Sequence, residues 1–133
     1  MRAVFADTFF FHALLDRSDA RHARAIVESR VPQRQFITTE AVLMELGDAL
    51  HQPGERGEFI AIVDMVRKHT AWELVPSSTE LFRAGLEIFR RHSDKAWQMT
   101  DCISIAVMRR RHLREVLTGD AHFEQAGFTA LLR

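Results

Sequence analysis

Apolar and polar positions follow two rhythms along the chain. Short continuous apolar runs stand at Ala3-Val4-Phe5-Ala6 and, more weakly, at Gln35-Phe36-Ile37-Thr38, Ala71-Trp72-Glu73-Leu74-Val75, Glu115-Val116-Leu117-Thr118 and Thr129-Ala130-Leu131-Leu132. Runs this short, bounded by turn residues, suit strands buried on both faces of a parallel sheet. Between them the period becomes helical: Ala23, Ile26, Val27 and Val31 form one stripe, Phe59, Ile62, Val63 and Val66 a second, and Leu81, Gly85, Ile88 and Phe89 a third. Ser77 with Glu80 matches a capping box, and Thr39 and Thr100 each precede an acidic residue in the first turn of a helical run. Pro32, Pro53, Pro76, Gly54, Gly57, Gly119 and Gly127 fall where a strand or helix has to begin or stop. Strand, helix, strand repeated in this way predicts right-handed crossovers and an α/β fold. The expected architecture is a three-layer α/β/α sandwich around a central parallel sheet of four to five strands. No repeat, low-complexity tract or long linker interrupts the pattern, so residues 1–133 are expected to form a single domain.

Composition narrows what such a domain does. Its 133 residues, 47% of them hydrophobic, suffice for one core that buries roughly two thirds of the unfolded chain's surface. The 18 basic and 18 acidic residues cancel, which removes the bulk positive charge behind non-specific binding to nucleic acid or membranes. Any polyanion must then be met locally. Cys102 is the sole cysteine, so an intrachain disulfide and a cysteine zinc cluster are excluded, and a reducing cytoplasm is the expected compartment. The apolar opening from Ala3 to Leu15 is broken by Asp7 and His12, is shorter than the ~20 residues of a membrane span, and lacks a small-residue cleavage site. It reads as part of the mature fold.

In parallel sheets, sites form beyond the carboxyl ends of the strands. Asp7 closes the first predicted strand directly, and Asp120 follows the fourth after Gly119. Glu45 lies in the helix after the second strand, with Ala41, Val42 and Ala49 at i−4, i−3 and i+4 giving it an apolar, inward-facing neighbourhood. Asp101 opens the run 101–107, apolar nearly all round, which predicts a central helix leading into the fourth strand. Taken singly, Asp101 also reads as a complement to its helix dipole and Asp120 as a turn residue. Taken together, the acids converge on one sheet edge. Clustered carboxylates repel and raise one another's pKa, and a divalent cation resolves the conflict. Hard oxygen ligands without a cysteine or paired histidines favour Mg²⁺, or Mn²⁺, over zinc. The waters such an ion keeps ionise more readily than bulk water, so an in-line attack on a phosphodiester needs no Ser, His or Cys nucleophile.

Four segments carry a resemblance to a known family. Val4-Phe5-Ala6-Asp7-Thr8, Thr38-Thr39-Glu40-Ala41-Val42-Leu43-Met44-Glu45, the segment from Met99-Thr100-Asp101 to Met108, and the ending from Leu117-Thr118-Gly119-Asp120 to Phe128 resemble the PIN-domain family in order and spacing. Within it, the size and the Thr-x-Asp-x-x-Phe ending are most similar to the VapC-type toxins of bacterial toxin–antitoxin pairs. The resemblance implies a Mg²⁺-dependent endoribonuclease that is dimeric and silenced by a small docking antitoxin. It also implies that Asp7, Glu45 and Asp101 are the core acids, that Asp120 is a more variable fourth, and that Thr8 and Thr118 are hydroxyl positions supporting the first and fourth acids. Glu40 and Asp48 flank Glu45 on the same helix; Glu45 is preferred for its apolar stripe and its motif position. Gly119 is permissive in backbone angle, which leaves the aim of Asp120 less constrained.

Other features stay open at this level. Arg109, Arg110, Arg111 and Arg114 read either as phosphate holders or, more simply, as a solvated basic helix end. His122 suits proton transfer but is one of seven scattered histidines. Trp72 and Trp97 could each stack on a base; Trp72 is expected to pack within its strand instead, whereas Trp97, in the loop before Thr100-Asp101, stays open. Rival classes fit less well. A phosphorelay receiver, which would make the chain an acidic-pocket binding module, wants an Asp after the third strand and a Lys near the fifth, where the chain has Leu74-Val75-Pro76 and Thr129-Ala130-Leu131. A haloacid-dehalogenase-type phosphatase wants an acid at position 9, which is Phe9. A non-catalytic PIN scaffold is opposed by the retention of all the acids.

Overall fold

Each predicted apolar run becomes a strand in the structure, a computed structural model that describes residues 2–133. The strands β1 (Ala3–Ala6), β2 (Gln35–Thr39), β3 (Trp72–Val75), β4 (Glu115–Leu117) and β5 (Thr129–Ala130) form one sheet in the order β3-β2-β1-β4-β5. Every pairing is parallel. Helices α1 (Thr8–Leu15), α2 (His22–Ser29), α3 (Glu40–Ala49), α4 (Arg56–Lys68), α5 (Thr79–Arg91), α6 (Met99–Arg110) and α7 (Ala121–Gln125) flank it, giving the three-layer α/β/α arrangement. The chain builds outward from β1 through β2 to β3, then returns to add β4 on the other side of β1. The carboxyl ends of β1 and β4 therefore meet at the point where the strand order reverses, the place where open α/β sheets form crevices.

The core explains these elements. Val4, Phe5 and Ala6 of β1 are fully buried, as the central strand of a doubly covered sheet requires. Phe36 stacks on Trp72 at 4.7 Å, and Phe10 lies 6.5 Å from Phe36, so an aromatic layer ties α1 to β2 and β3 and spends Trp72 on packing. The α6 helix buries seven of its twelve residues, Asp101 among them, in keeping with its all-round apolar sequence. The Phe59, Ile62, Val63 and Val66 stripe faces the core, as do Leu81, Gly85 and Ile88; Phe89 is exposed.

Three local expectations are corrected. On α2 the buried face carries Ala25 and Glu28, and Val27 stands 62% exposed, because Glu28 Oε1 turns inward to accept a hydrogen bond from the buried Arg34 guanidinium at 3.0 Å. The N-cap of α5 is Ser78, whose hydroxyl accepts from the Leu81 N–H at 3.0 Å; the Ser77 N–H donates instead to Glu40 Oε1. The N-cap of α6 is Gln98 rather than Thr100, because Gln98 and Asp101 form a reciprocal capping box. Thr39 caps α3 as expected. Among the described residues no helix is long and apolar enough to cross a membrane.

Close packing of α5 against α6 depends on Gly85, where a Cβ would stand 2.7 Å from Ile103 Cγ1 and 3.2 Å from the Ile103 nitrogen. Gly85→Ala should destabilise the fold by about 1–3 kcal/mol, overriding the helical advantage of alanine. Gly54→Ala, with nothing within 4 Å, should be neutral or slightly stabilising, and urea midpoints of the two variants check the contrast.

Candidate active site

The β1–β4 register decides the first contact. Ala6 pairs with Leu117, so the residues just beyond, Asp7 and Thr118, lie side by side, and the Thr118 hydroxyl donates to Asp7 Oδ2 at 2.8 Å. Both are buried, Asp7 being 5% exposed and Thr118 fully enclosed. The same Thr118 oxygen accepts from the Asp120 N–H at 3.1 Å, so one hydroxyl links two acids. On the other side of β1, the buried Thr38 hydroxyl donates to the Ala6 carbonyl at 2.8 Å and tethers β2 to the same strand end.

Helices bring the remaining acids. Thr8 opens α1, and its hydroxyl donates to Glu45 Oε1 at 2.5 Å, fixing α3 relative to β1. Glu45 is half-buried, with Val42 and Leu46 packed into the core beside it while Ala49 is exposed. Asp101, 7% exposed, sits in the first turn of α6, and its Oδ2 accepts the Gln98 N–H at 3.1 Å. It caps its helix and faces the site, so the structural and chemical readings of this acid coexist. Asp120 caps α7, its Oδ1 accepting the His122 N–H at 2.9 Å. His122 Nδ1 then lies 3.0 Å from Asp101 Oδ2 and 3.4 Å from Asp120 Oδ1.

Electrostatics mark this cluster off from the rest of the surface. Burial pushes the Asp7 carboxyl up to about 7; the Thr118 hydroxyl and the Thr8 backbone oppose the shift, and the charges of Asp101 and Glu45 add to it. Burial likewise raises Asp101, against the Gln98 N–H and His122, with Asp120 adding repulsion. Elsewhere Asp16, Glu73 and Asp94 are held below the ordinary range, chiefly by hydrogen bonds from Ser18, from Arg111 and from the Asp94 backbone respectively. The site thus concentrates negative charge where water is scarce, which suits a divalent cation. Among the described residues no three His, Cys, Asp or Glu side chains are grouped to hold an ion by direct bonds. The set fits a hydrated ion of the Mg²⁺ kind, which takes one or two carboxylates and keeps several waters.

All four acids marked in the sequence reach this edge, but the hydroxyls pair otherwise than the resemblance implies: Thr8 donates to the second acid, Glu45, and Thr118 donates to the first, Asp7, while meeting the fourth, Asp120, only through that residue's backbone N–H. Asp120 is better anchored than the freedom of Gly119 suggested. Gly119 does not use a positive φ; it is glycine because a Cβ would meet the Phe9 ring at 2.5 Å. Glu40 binds the Ser77 backbone, and Arg110 and Arg111 are spent on ion pairs with Glu80 and Glu73. Trp97 is not free to stack: it is 5% exposed, packs on His92 at 4.7 Å and donates to Gln125 Oε1. The residue that sequence reasoning undervalued is His122, whose only signal was its place two residues beyond Asp120.

The family model of the PIN domain matches residues 4–129. The chain belongs to the PIN-domain family. This PIN domain is 30% identical over 128 residues to the 23S rRNA-specific endonuclease VapC20 of Mycobacterium tuberculosis, covering 94% of this chain and 95% of that protein. It is also similar to the crystal structure of VapC20, described as a Sarcin-Ricin loop cleaving toxin, with a TM-score of 0.82, 27% identity, and 95% of this chain and 96% of that chain covered. VapBC2 from Rickettsia felis, bound to a DNA fragment from its promoter, shares the fold at a TM-score of 0.68 and 10% identity, with 96% of each chain covered.

The raised Asp7 predicts a pH dependence with a definite sign. Between 3.8 and about 7 the folded chain keeps a proton on Asp7 that the unfolded chain has lost, so metal-free stability falls as pH rises across that window and levels off above it. The fall is at most on the order of 4 kcal/mol. Urea titrations in chelator at several pH values should show it, and Asp7→Asn should flatten most of it. Equal slopes in the two proteins would rule out the buried charge as the cause.

Proposed function

We propose that this PIN domain is a divalent-metal-dependent endoribonuclease, the toxin of a toxin–antitoxin pair. The observation that carries the reading is the buried Asp7 carboxyl, pushed up to about 7 beside Asp101 and Glu45 at the β1–β4 crevice. Burial and mutual repulsion make this arrangement costly to the metal-free fold, and a divalent cation held by a phosphodiester hydrolase would relieve that cost. Asp7, Glu45, Asp101 and Asp120 are the proposed metal-holding and catalytic acids, with Thr8 and Thr118 as their supports. A bound Mg²⁺ or Mn²⁺ supplies Lewis-acid stabilisation of charge building on the phosphate and eases ionisation of the attacking water. The chain's own part is orientation. Thr118 holds Asp7 through Oδ2, Thr8 holds Glu45 through Oε1, and the Gln98 N–H holds Asp101 through Oδ2. Ribosomal RNA is the proposed substrate class, on the strength of the 30% identical relative named for 23S rRNA, and the cytoplasm is the compartment where that substrate lies.

The proposed partners have surfaces to meet. A groove of about 390 Å³ opens beside Glu45, with Met44, Leu81, Phe82 and Ile103 as its apolar wall and Glu40 and Asp48 as acidic rim. A small antitoxin helix carrying apolar and basic side chains suits it. Exposed Ile60 on α4 and exposed Phe89 on α5 are further apolar side chains available for pairing two copies. Light scattering at tens of micromolar should give a dimer; a monomer would remove the dimer and leave the nuclease reading intact.

Incubating the purified chain with ribosomal RNA, with and without Mg²⁺, tests the activity through discrete mapped ends that require the metal. Asp101→Asn should reduce cleavage by more than about 100-fold while the protein stays folded and, without metal, melts higher than the parent chain. Glu40→Gln, outside the acidic cluster, should stay within about threefold of the parent activity. Full cleavage by Asp101→Asn would sink the assignment of the acids.

A further inference from the structure

We propose that His122 is a positioning residue of this site, locking Asp101 and Asp120 into one rigid pair. The inference rests on the nuclease reading above. His122 reaches both acids by different routes. Its backbone N–H donates to Asp120 Oδ1 at 2.9 Å, and its ring Nδ1 stands 3.0 Å from Asp101 Oδ2 and 3.4 Å from Asp120 Oδ1. An ionised carboxylate only accepts, so Nδ1 is the ring nitrogen that carries hydrogen toward Asp101. The two acids come from α6 and from the loop after β4, and the ring is the side chain that bridges them.

The placement of the bonds matters as much as their presence. Both donors to Asp101, the Gln98 N–H and the His122 ring, land on Oδ2, and the donor to Asp120 lands on Oδ1. Among the described residues no hydrogen bond falls on Asp101 Oδ1 or Asp120 Oδ2. Each carboxylate is thereby held through one oxygen and keeps the other for a cation or its waters. Without the ring, Asp101 keeps only its backbone donor, is freer to turn about its terminal torsion, and meets the Asp120 charge with no donor between them. Groups that orient metal-holding side chains in this way typically change metal affinity or activity by 10–100-fold when removed.

Asparagine and glutamine separate positioning from proton transfer. The Asn side-chain nitrogen, bonded to Cγ, falls where Nδ1 lies, whereas the Gln nitrogen is one bond farther out. Purified parent, His122→Ala, His122→Asn and His122→Gln chains are compared in Mn²⁺ thermal-shift titrations and in steady-state cleavage of ribosomal RNA. The expected result for His122→Ala is at least about tenfold more Mn²⁺ at half-shift and a lower kcat with little change in KM, His122→Gln behaving alike. His122→Asn should return both readouts to within about threefold of the parent. A parent chain inert to RNA and Mn²⁺ defeats the nuclease reading, and this inference with it. An active parent whose His122→Ala variant keeps the same Mn²⁺ midpoint and kcat overturns the inference alone, and so does a loss that His122→Asn fails to repair.

Discussion

One carboxylate at the end of the central strand sets the terms for the rest of the site. Asp7 is buried where β1 and β4 run parallel, and the Thr118 hydroxyl is the side chain that donates to it. A buried carboxylate needs several donors, or a cation, to stay ionised at little cost. Here burial outweighs the donors, and neighbouring acids deepen the deficit. The sheet supplies the rigidity that tolerates this: Asp7 is anchored by a strand that is fully buried after the half-buried Ala3, and by the Thr38 tether to Ala6.

Donors other than lysine and arginine do the orienting throughout. Threonine hydroxyls, backbone N–H groups and one imidazole hold the acids, while the arginines of the neighbouring helix end are spent on Glu73 and Glu80. An arginine in place of Thr8 or Thr118 would cancel part of the cluster's charge and weaken its attraction for a cation. Hydroxyls and amides fix geometry and leave the negative potential in place, a division of labour that sacrifices stability in the metal-free state for a preorganised site.

Much of the architecture was legible in the linear pattern because strands buried on both faces write themselves as short apolar runs and parallel crossovers admit few topologies. The chain direction marked Asp7, Asp101 and Asp120 at the carboxyl ends of strands or the start of a helix, the apolar helical neighbours marked Glu45, and it was their convergence on one edge that outweighed the structural reading each has singly. Where local signals competed, the sequence was ambiguous. Ser77 with Glu80 matched a capping box, yet the Ser77 N–H goes to Glu40 and Ser78 caps α5. The α2 stripe read as Ala23, Ile26, Val27 and Val31, yet the helix turns its Glu28 inward, because an arginine six residues later in the chain waits there.

Alone, the sequence determined the element order, the parallel sheet and which acids end up together at the carboxyl edge of its strands, because these follow from periodicity and from chain direction. Only the tertiary structure decided which donors hold each carboxylate, that Trp97 is packed, that Gly119 is small to clear Phe9, and that His122 joins Asp101 to Asp120. Those contacts link elements distant in sequence at tenths of an ångström. Hydrophobic patterning fixes which face is buried, but hydrogen bonds and close packing are settled by the final fit of one element against another.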